Sequence, residues 1–248
     1  MTTERIASFD GQELAVHRMG EGRPVVLLHG LFSSAEMNWI KYGHAAKLVD
    51  AGFECIMPDL RAHGESAKPH EAAAYPHDVL VSDAAALMQA LELEAYDLVG
   101  FSLGARTAAR AVISGLAPRK LVLSGMGLEG LSGWDQRAGF FLDAIDRYDD
   151  IERGDPAYFA KNFMKTMKTD RVAARHLLQS VGDTAPGALA AIATPTAIIC
   201  GDEDRDNGSP EKLAEAIPDA VHIEVPGTHM SSVVKPELGT AIADFLSA

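Results

Sequence analysis

The ten residues Tyr96-Asp97-Leu98-Val99-Gly100-Phe101-Ser102-Leu103-Gly104-Ala105 leave this chain few folds to choose from. They read as an apolar strand, a sharp turn with Ser102 at its apex, and the start of a helix. The turn has the form Gly-x-Ser-x-Gly. A serine held at such an apex has its hydroxyl thrust outward, in a backbone conformation with no room for bulk on either side. Gly100 and Gly104 supply that room, because a side chain at either place would collide with the strand or the helix. The helix that follows points its first amide groups at the same spot, where a developing oxyanion would be stabilised. Leu98 and Val99 before the turn, and the helix-compatible run Thr107 to Ser114 after it, supply the context this motif needs.

The rest of the chain alternates around this turn. Asp10-Gly11 between Ile6–Phe9 and Leu14–His17 is a hairpin signal, giving two antiparallel strands at one edge. The uninterrupted apolar run Val25 to Leu28 suits a strand buried on both faces of a parallel sheet. His29-Gly30-Leu31-Phe32 ends it, and Ser33 and Ser34 precede a predicted helix over Ala35 to Asp50. Phe53 to Met57 make a strand, Pro58 to Ser66 a polar loop, and Pro76 to Leu91 a helix with Asp78 and Asp83 on its early turns. Lys120 to Ser124 form the next strand. From Leu128 to Thr194 no strand-like run occurs. Helix-compatible segments stand there instead: Trp134 to Tyr148, Pro156 to Met167, Arg171 to Val181, and a short one from Pro186. Thr196 to Cys200 and Val221 to Val225 complete the strands. Between them Ser209-Pro210 opens a helix to Ile217, and a final helix follows the Pro226 to His229 loop. The expected fold is α/β: a mostly parallel eight-stranded sheet with helices on both faces. The expected domains are a core over 1–127 and 195–248, and a helical cap over 128–194, inserted after the sixth strand. That insertion is placed to cover the carboxyl edge of the sheet, where open α/β sheets bind ligands.

Composition narrows the function. A formal charge of -13 disfavours nucleic acid and anionic membrane surfaces, which need basic patches. No run approaches membrane-spanning length, and Met-Thr-Thr-Glu-Arg-Ile lacks the form of a signal peptide, so a cytoplasmic setting is expected. Cys55 and Cys200 lie in apolar strand-like runs and read as buried thiols. The expected partner is a small-molecule substrate. No cofactor or metal is expected: Asp202, Asp204 and Asp206 lack the Gly and distal Glu of a calcium loop. The sequence specifies no oligomeric state.

A serine hydroxyl needs an adjacent base, and the base needs an orienting acid. Both must come from loops on the same sheet edge as Ser102, in the order Ser, acid, His. His229 follows the last strand and fits the base. His29 and His63 read as loop-holding residues, and His17, His44, His70, His77, His176 and His222 as surface residues. The acid must follow the penultimate strand, where alternation alone leaves Asp202, Asp204 and Asp206 open. Of the two oxyanion-binding N–H groups, one falls to Leu103, after the nucleophile. The other comes from the loop after His29-Gly30, where Leu31 is the candidate. Phe32, Met126, Phe140, Phe141, Phe163 and Met230 are candidates for the substrate pocket. Arg106, Arg137 and Lys161 could hold an anionic substrate, but read more simply as solvated helix charges.

With these residues assembled, the chain resembles the α/β-hydrolase fold superfamily over nearly its whole length. The resemblance rests on His29-Gly30-Leu31-Phe32, Pro58 to Ser66, Gly100 to Gly104, Gly201-Asp202-Glu203-Asp204 and Gly227-Thr228-His229. It implies Asp204 as the triad acid, Leu31 and Leu103 as the oxyanion-hole residues, and Ser102 in place of the aspartate nucleophile of the epoxide hydrolases. Ala62 and Ala105 stand where the family pattern has glycine. The insertion resembles those of small esterases, enol-lactonases, carbon–carbon bond hydrolases and cofactor-free perhydrolases. The expected function is a serine hydrolase that cleaves a small, largely apolar ester, thioester or lactone through an acyl-enzyme on Ser102. The alternatives are a carbon–carbon bond hydrolase of a diketo-acid, and a ligand-binding signalling protein with vestigial hydrolysis.

Overall fold

The computed structural model describes residues 1–248. Its eight strands are β1 (Thr2–Ala7), β2 (Glu13–Met19), β3 (Arg23–Leu28), β4 (Phe53–Pro58), β5 (Asp97–Phe101), β6 (Leu121–Ser124), β7 (Thr196–Gly201) and β8 (Val221–Val225). They form one sheet in the order β1-β2-β4-β3-β5-β6-β7-β8. The β1–β2 and β2–β4 pairs are antiparallel and all others parallel. The inner parallel strands β3, β5, β6 and β7 are mostly apolar without alternation because both of their faces are covered, while the edge strand β8, Val-His-Ile-Glu-Val, alternates and is buried only at Val225. Val26, Leu28, Leu98, Leu121, Leu123 and Ile198 pack into one core. Val25, Leu27, Val99, Phe101, Val122 and Ile199 pack into the other. The helices are α1 (His44–Asp50), α2 (Val79–Ala90), α3 (Leu103–Ile113), α4 (Leu128–Ser132), α5 (Trp134–Asp146), α6 (Tyr158–Thr166), α7 (Arg171–Ser180), α8 (Pro210–Ala216), α9 (His229–Ser232) and α10 (Pro236–Ser247). Residues of α2 and α3 close the first core, and residues of α1 and α10 the second. No helix is long and apolar enough to cross a membrane.

Several element boundaries differ from the sequence reading, each for a local reason. The helix expected over Ala35 to Asp50 is two pieces. Glu36–Ile40 winds as a π-helical turn that buries both Asn38 and Trp39, and Gly43, at φ 81°, breaks the path before α1. The helix expected from Pro76 starts at Val79, because Asp78 takes a left-handed conformation (φ 55°) and its carboxylate accepts from Arg110 and from the Gly182 N–H. The helix expected after His229 is split: His229 opens α9, and Pro236, which lacks an N–H, starts α10. Ala62, in place of a family glycine, sits at φ 69°, a region that costs an L-residue about 1–2 kcal/mol.

Two histidines read as surface residues are buried. His17 lies between Thr3 Oγ1 (2.9 Å) and Asp59 (3.3 Å), and His44 donates to the Val233 carbonyl (2.5 Å). Arg106 is likewise no solvated charge. It is 1% exposed, and its guanidinium donates to the carbonyls of Gly130 (2.6 Å), Leu131 (2.8 Å) and Gly182, pairs with Asp183 (3.1 Å), and stacks on Trp134. Burial lowers its pKa to about 10, and it stays charged. Arg106 therefore ties α3, under the sheet edge, to the start and end of the 128–194 segment. Lys161 is also engaged, donating to the Ile151 carbonyl at 2.7 Å.

Candidate active site

The elbow at Ser102 is built by close approach. Ser102 has φ 54° and ψ −113°, outside the conformations an L-residue normally adopts. A Cβ on Gly100 would lie 2.2 Å from the Gly104 carbonyl oxygen, and a Cβ on Gly104 would lie 2.1 Å from that of Leu28. Both contacts are with backbone, so no rotamer change relieves them. Strand β5 is thus pressed against the first turn of α3, and the Ser102 side chain projects from the carboxyl edge of the sheet.

His229 and Asp204 reach that edge from loops after β8 and β7. Ser102 Oγ stands 3.1 Å from His229 Nε2, and His229 Nδ1 stands 2.9 Å from Asp204 Oδ2. With Nδ1–H donating to the carboxylate, Nε2 is left as an acceptor for the serine proton. All three are buried, Ser102 at 9%, His229 at 7% and Asp204 at 4% exposure. The imidazole lies 5.0 Å from the Phe101 ring. The three aspartates of the turn separate cleanly. Asp204 faces the imidazole, Asp202 accepts from the Gly227 N–H at 2.7 Å, and Asp206 uses its N–H to cap Asp204 Oδ1 at 3.1 Å.

The loop after β3 is held by histidines. His63 Nε2 accepts the Phe32 N–H and its Nδ1–H donates to the Arg61 carbonyl, both at 2.9 Å. His29 Nε2 accepts the Leu60 N–H (2.9 Å) and its Nδ1–H donates to the Gly30 carbonyl (2.8 Å). Asn38, on the π-helical turn, accepts the Gly30 N–H at 3.0 Å. These bonds consume the N–H groups of Gly30 and Phe32 and leave that of Leu31 without an intramolecular acceptor. The Leu103 N–H, at the first position of α3, has none either.

The same bonds fix the charge of the two histidines. Each Nε2 faces a backbone donor, so a proton there would set two donors against each other. Burial lowers the pKa of His63 from 6.5 to about 3, and lowers that of His29 too. A folded-state pKa below the unfolded value means the unfolded chain binds more protons as pH falls through 6.5 toward 3. Stability contributed by these groups is complete above that window and declines within it. We expect His63 alone to cost about 2 kcal/mol between pH 7 and pH 5. His17, whose pKa is raised by its Asp59 hydrogen bond, acts in the opposite sense. Urea unfolding at the two pH values checks this, and His63→Gln should flatten the dependence.

A cavity of about 990 Å³ opens onto Ser102 and His229. Phe32, Met126, Phe140, Phe141, Phe163 and Met230 all line it. Phe32 and Met126 form its floor at 2% exposure, while Phe140 (41%) and Met230 (56%) stand toward solvent. The wall also includes Asn38, Tyr42, Trp134, Arg137 and Phe159, which the sequence did not single out as pocket residues, apart from the charge on Arg137. The thiols of Cys55 and Cys200 are buried and free. Burial pushes both up to about 12, which leaves them inert.

Residues 23–150 match the family model described as the alpha/beta hydrolase fold. Among curated proteins, the chain is 37% identical to AB hydrolase superfamily protein YisY of Bacillus subtilis, over 39% of this chain and 34% of that protein. It is 28% identical to a putative non-heme chloroperoxidase of Synechocystis, over 75% of this chain and 76% of that one. The match thus spans about a third of the first relative and three quarters of the second. Among solved structures, the bromoperoxidase of Bacillus anthracis superposes with a TM-score of 0.79 at 25% identity, covering 100% of both chains.

Proposed function

Because this chain belongs to the alpha/beta hydrolase fold family, we propose that it is a serine hydrolase of a small, largely apolar carboxylic ester, thioester or lactone. The single observation that carries this reading is the hydrogen-bonded line from Ser102 through His229 to Asp204, at 3.1 and 2.9 Å. In this reading Ser102 Oγ attacks the substrate carbonyl while its proton passes to His229 Nε2. The oxyanion is held by the Leu31 and Leu103 N–H groups. Asp204 keeps the imidazole in the required tautomer and stabilises its charged form. The tetrahedral intermediate expels the alcohol or thiol, which takes the proton from His229, and leaves an acyl-Ser102. Water, deprotonated by the same imidazole, then attacks the acyl carbon and releases the acid.

The cap assignment belongs to the same proposal. Residues 128–194 roof the nucleophile, and residues 1–127 with 195–248 form the catalytic body. The residues supporting it are Phe140, Phe141, Phe159 and Phe163 of α5 and α6, which line the cavity over Ser102. All six predicted pocket side chains, which line the cavity, are apolar, and this supports an acyl chain as the group they hold.

The test is hydrolysis of 4-nitrophenyl esters from acetate to decanoate, combined with labelling by a fluorophosphonate and mass mapping. We expect turnover within the ordinary range of about 1–1000 per second on the best chain length, and the label on Ser102. A folded protein that takes the label but turns over no ester would move the reaction to carbon–carbon bond cleavage. One that neither turns over esters nor takes the label would overturn the reading.

A further inference from the structure

The cavity wall carries one cation that the fold does not use up. Arg106 is consumed by three carbonyls and Asp183. Arg137, on α5, is different. Its Nη1 donates to the Asp206 carbonyl at 2.6 Å, its guanidinium lies 5.7 Å from the centre of the Phe141 ring, and it has no carboxylate partner. A guanidinium offers five N–H donors, so most of its donor capacity is unspent. Arg137 is half-buried in the wall, and burial lowers its pKa against the opposing fields of Asp206 and Asp204. A cation taken from water needs a paired anion only as its burial becomes complete, so Arg137 can stand unpaired with its free N–H groups available to a ligand. The carboxylates lining the cavity, Glu129 and Asp206, do not pair with it: Asp206 meets Arg137 through its backbone carbonyl and acts on it only as a charge at longer range. Glu129 is turned to the Ser209 N–H and Lys212, and Asp204 to His229.

The position of Arg137 relative to the nucleophile follows from ring contacts. Phe141 packs edge-on against Phe32 at 5.5 Å, and Phe32 directly follows Leu31. The guanidinium therefore joins an aromatic stretch, Phe141 and Phe32, that leads back to the proposed oxyanion loop, while its hydrogen bond to Asp206 anchors it at the loop after β7. An acyl chain with its carbonyl at Leu31 would run along Phe32 and Phe141 toward Arg137. We infer that the site is built for an acyl group that is apolar along its length and ends in a carboxylate, the half-ester or half-thioester of a dicarboxylic acid, with Arg137 gripping the far carboxylate. An arginine fits this task because its planar fork can bind a carboxylate through two parallel N–H groups. On a chain with net charge -13, a local cation is also what an anionic substrate would need to enter. The inference rests on the serine hydrolase reading, and deepens it by naming the substrate class.

The experiment pairs substrates. Ethyl half-esters of succinic, glutaric and adipic acid are compared with ethyl esters in which an isopropyl group replaces the far carboxylate, and hydrolysis is followed by proton release. The quantity read is the ratio of kcat/KM within each pair. For at least one chain length the native protein should favour the half-ester, and the ratio should fall at least tenfold in Arg137→Gln, through KM. Arg137→Lys should restore part of it, and rising salt should erode it in the native protein. A native ratio at or below one for every length, or a ratio unchanged in Arg137→Gln, overturns the proposal. If the native protein hydrolyses no ester at all, the ester-hydrolase reading fails by itself. Calorimetric titration with glutarate and adipate then decides the subsite: binding lost in Arg137→Gln and kept in Arg137→Lys sustains it, and no binding to the native protein ends it.

Discussion

Ser102→Ala should remove turnover by a factor of about 10⁵ or more while leaving the unfolding midpoint close to native. The size follows from the behaviour of triads, whose members act as one unit, so that loss of the nucleophile costs nearly as much as loss of all three. The structural neutrality follows from the backbone. Ser102 sits at φ 54°, and alanine bears the same strain there as serine. The hydroxyl lost has one partner, the His229 Nε2 at 3.1 Å. Steady-state hydrolysis and a thermal melt of the two proteins check the pair of statements. Activity within tenfold of native would remove Ser102 from the mechanism. Asp204→Asn should lower kcat by about 10⁴, because an amide facing Nδ1 no longer selects the tautomer that leaves Nε2 free.

Gly104→Ala should have the largest effect on the fold. The added Cβ would lie 2.1 Å from the Leu28 carbonyl oxygen and 2.5 Å from its carbon. Leu28 ends a central strand paired to β4 and β5, so the obstacle is backbone that cannot swing aside. Overpacking of this kind costs about 3 kcal/mol or more when nothing can yield. Gly139, in the exposed interior of α5, is the control, since a Cβ there meets nothing within 4 Å. Gly139→Ala should stabilise by about 0.5–1 kcal/mol through helix propensity. Urea midpoints for the two variants should move in opposite directions. A native-like midpoint for Gly104→Ala would mean that the elbow has slack the structure does not display.

What could be read from the sequence was what backbone geometry forces onto residue type. Only glycine fits at positions 100 and 104, so the elbow announces itself, and the strand–helix alternation then says which loops share its edge. The choice of Asp204 lay beyond that argument. Asp202, Asp204 and Asp206 occupy one turn, and alternation gives all three the same address. Only the family resemblance, and then the 2.9 Å contact to His229, separates them. Side-chain burial away from the periodic core was the other blind spot. Arg106 occupies a helix position that reads as solvent-facing, and what buries it is the distant 128–194 segment, invisible to local spacing. His17 and His44 were misread for the same reason, because their partners Asp59 and Val233 lie far along the chain. Asn38 gave no signal at all: an amide that holds the Gly30 N–H looks in sequence like any helical asparagine.

Ser102 and its imidazole are 127 residues apart, and the elbow leans only on strands that precede β7. During synthesis the ribosome therefore delivers a strained serine long before it delivers Asp204 or His229. For about half of its synthesis, 127 of 248 residues, the nascent chain would hold the proposed nucleophile without its proposed base. In that proposal the base arrives late, when β7 docks beside β6 and β8 beside β7. If the serine hydrolase proposal holds, a chain broken anywhere before His229 would carry the elbow without its base.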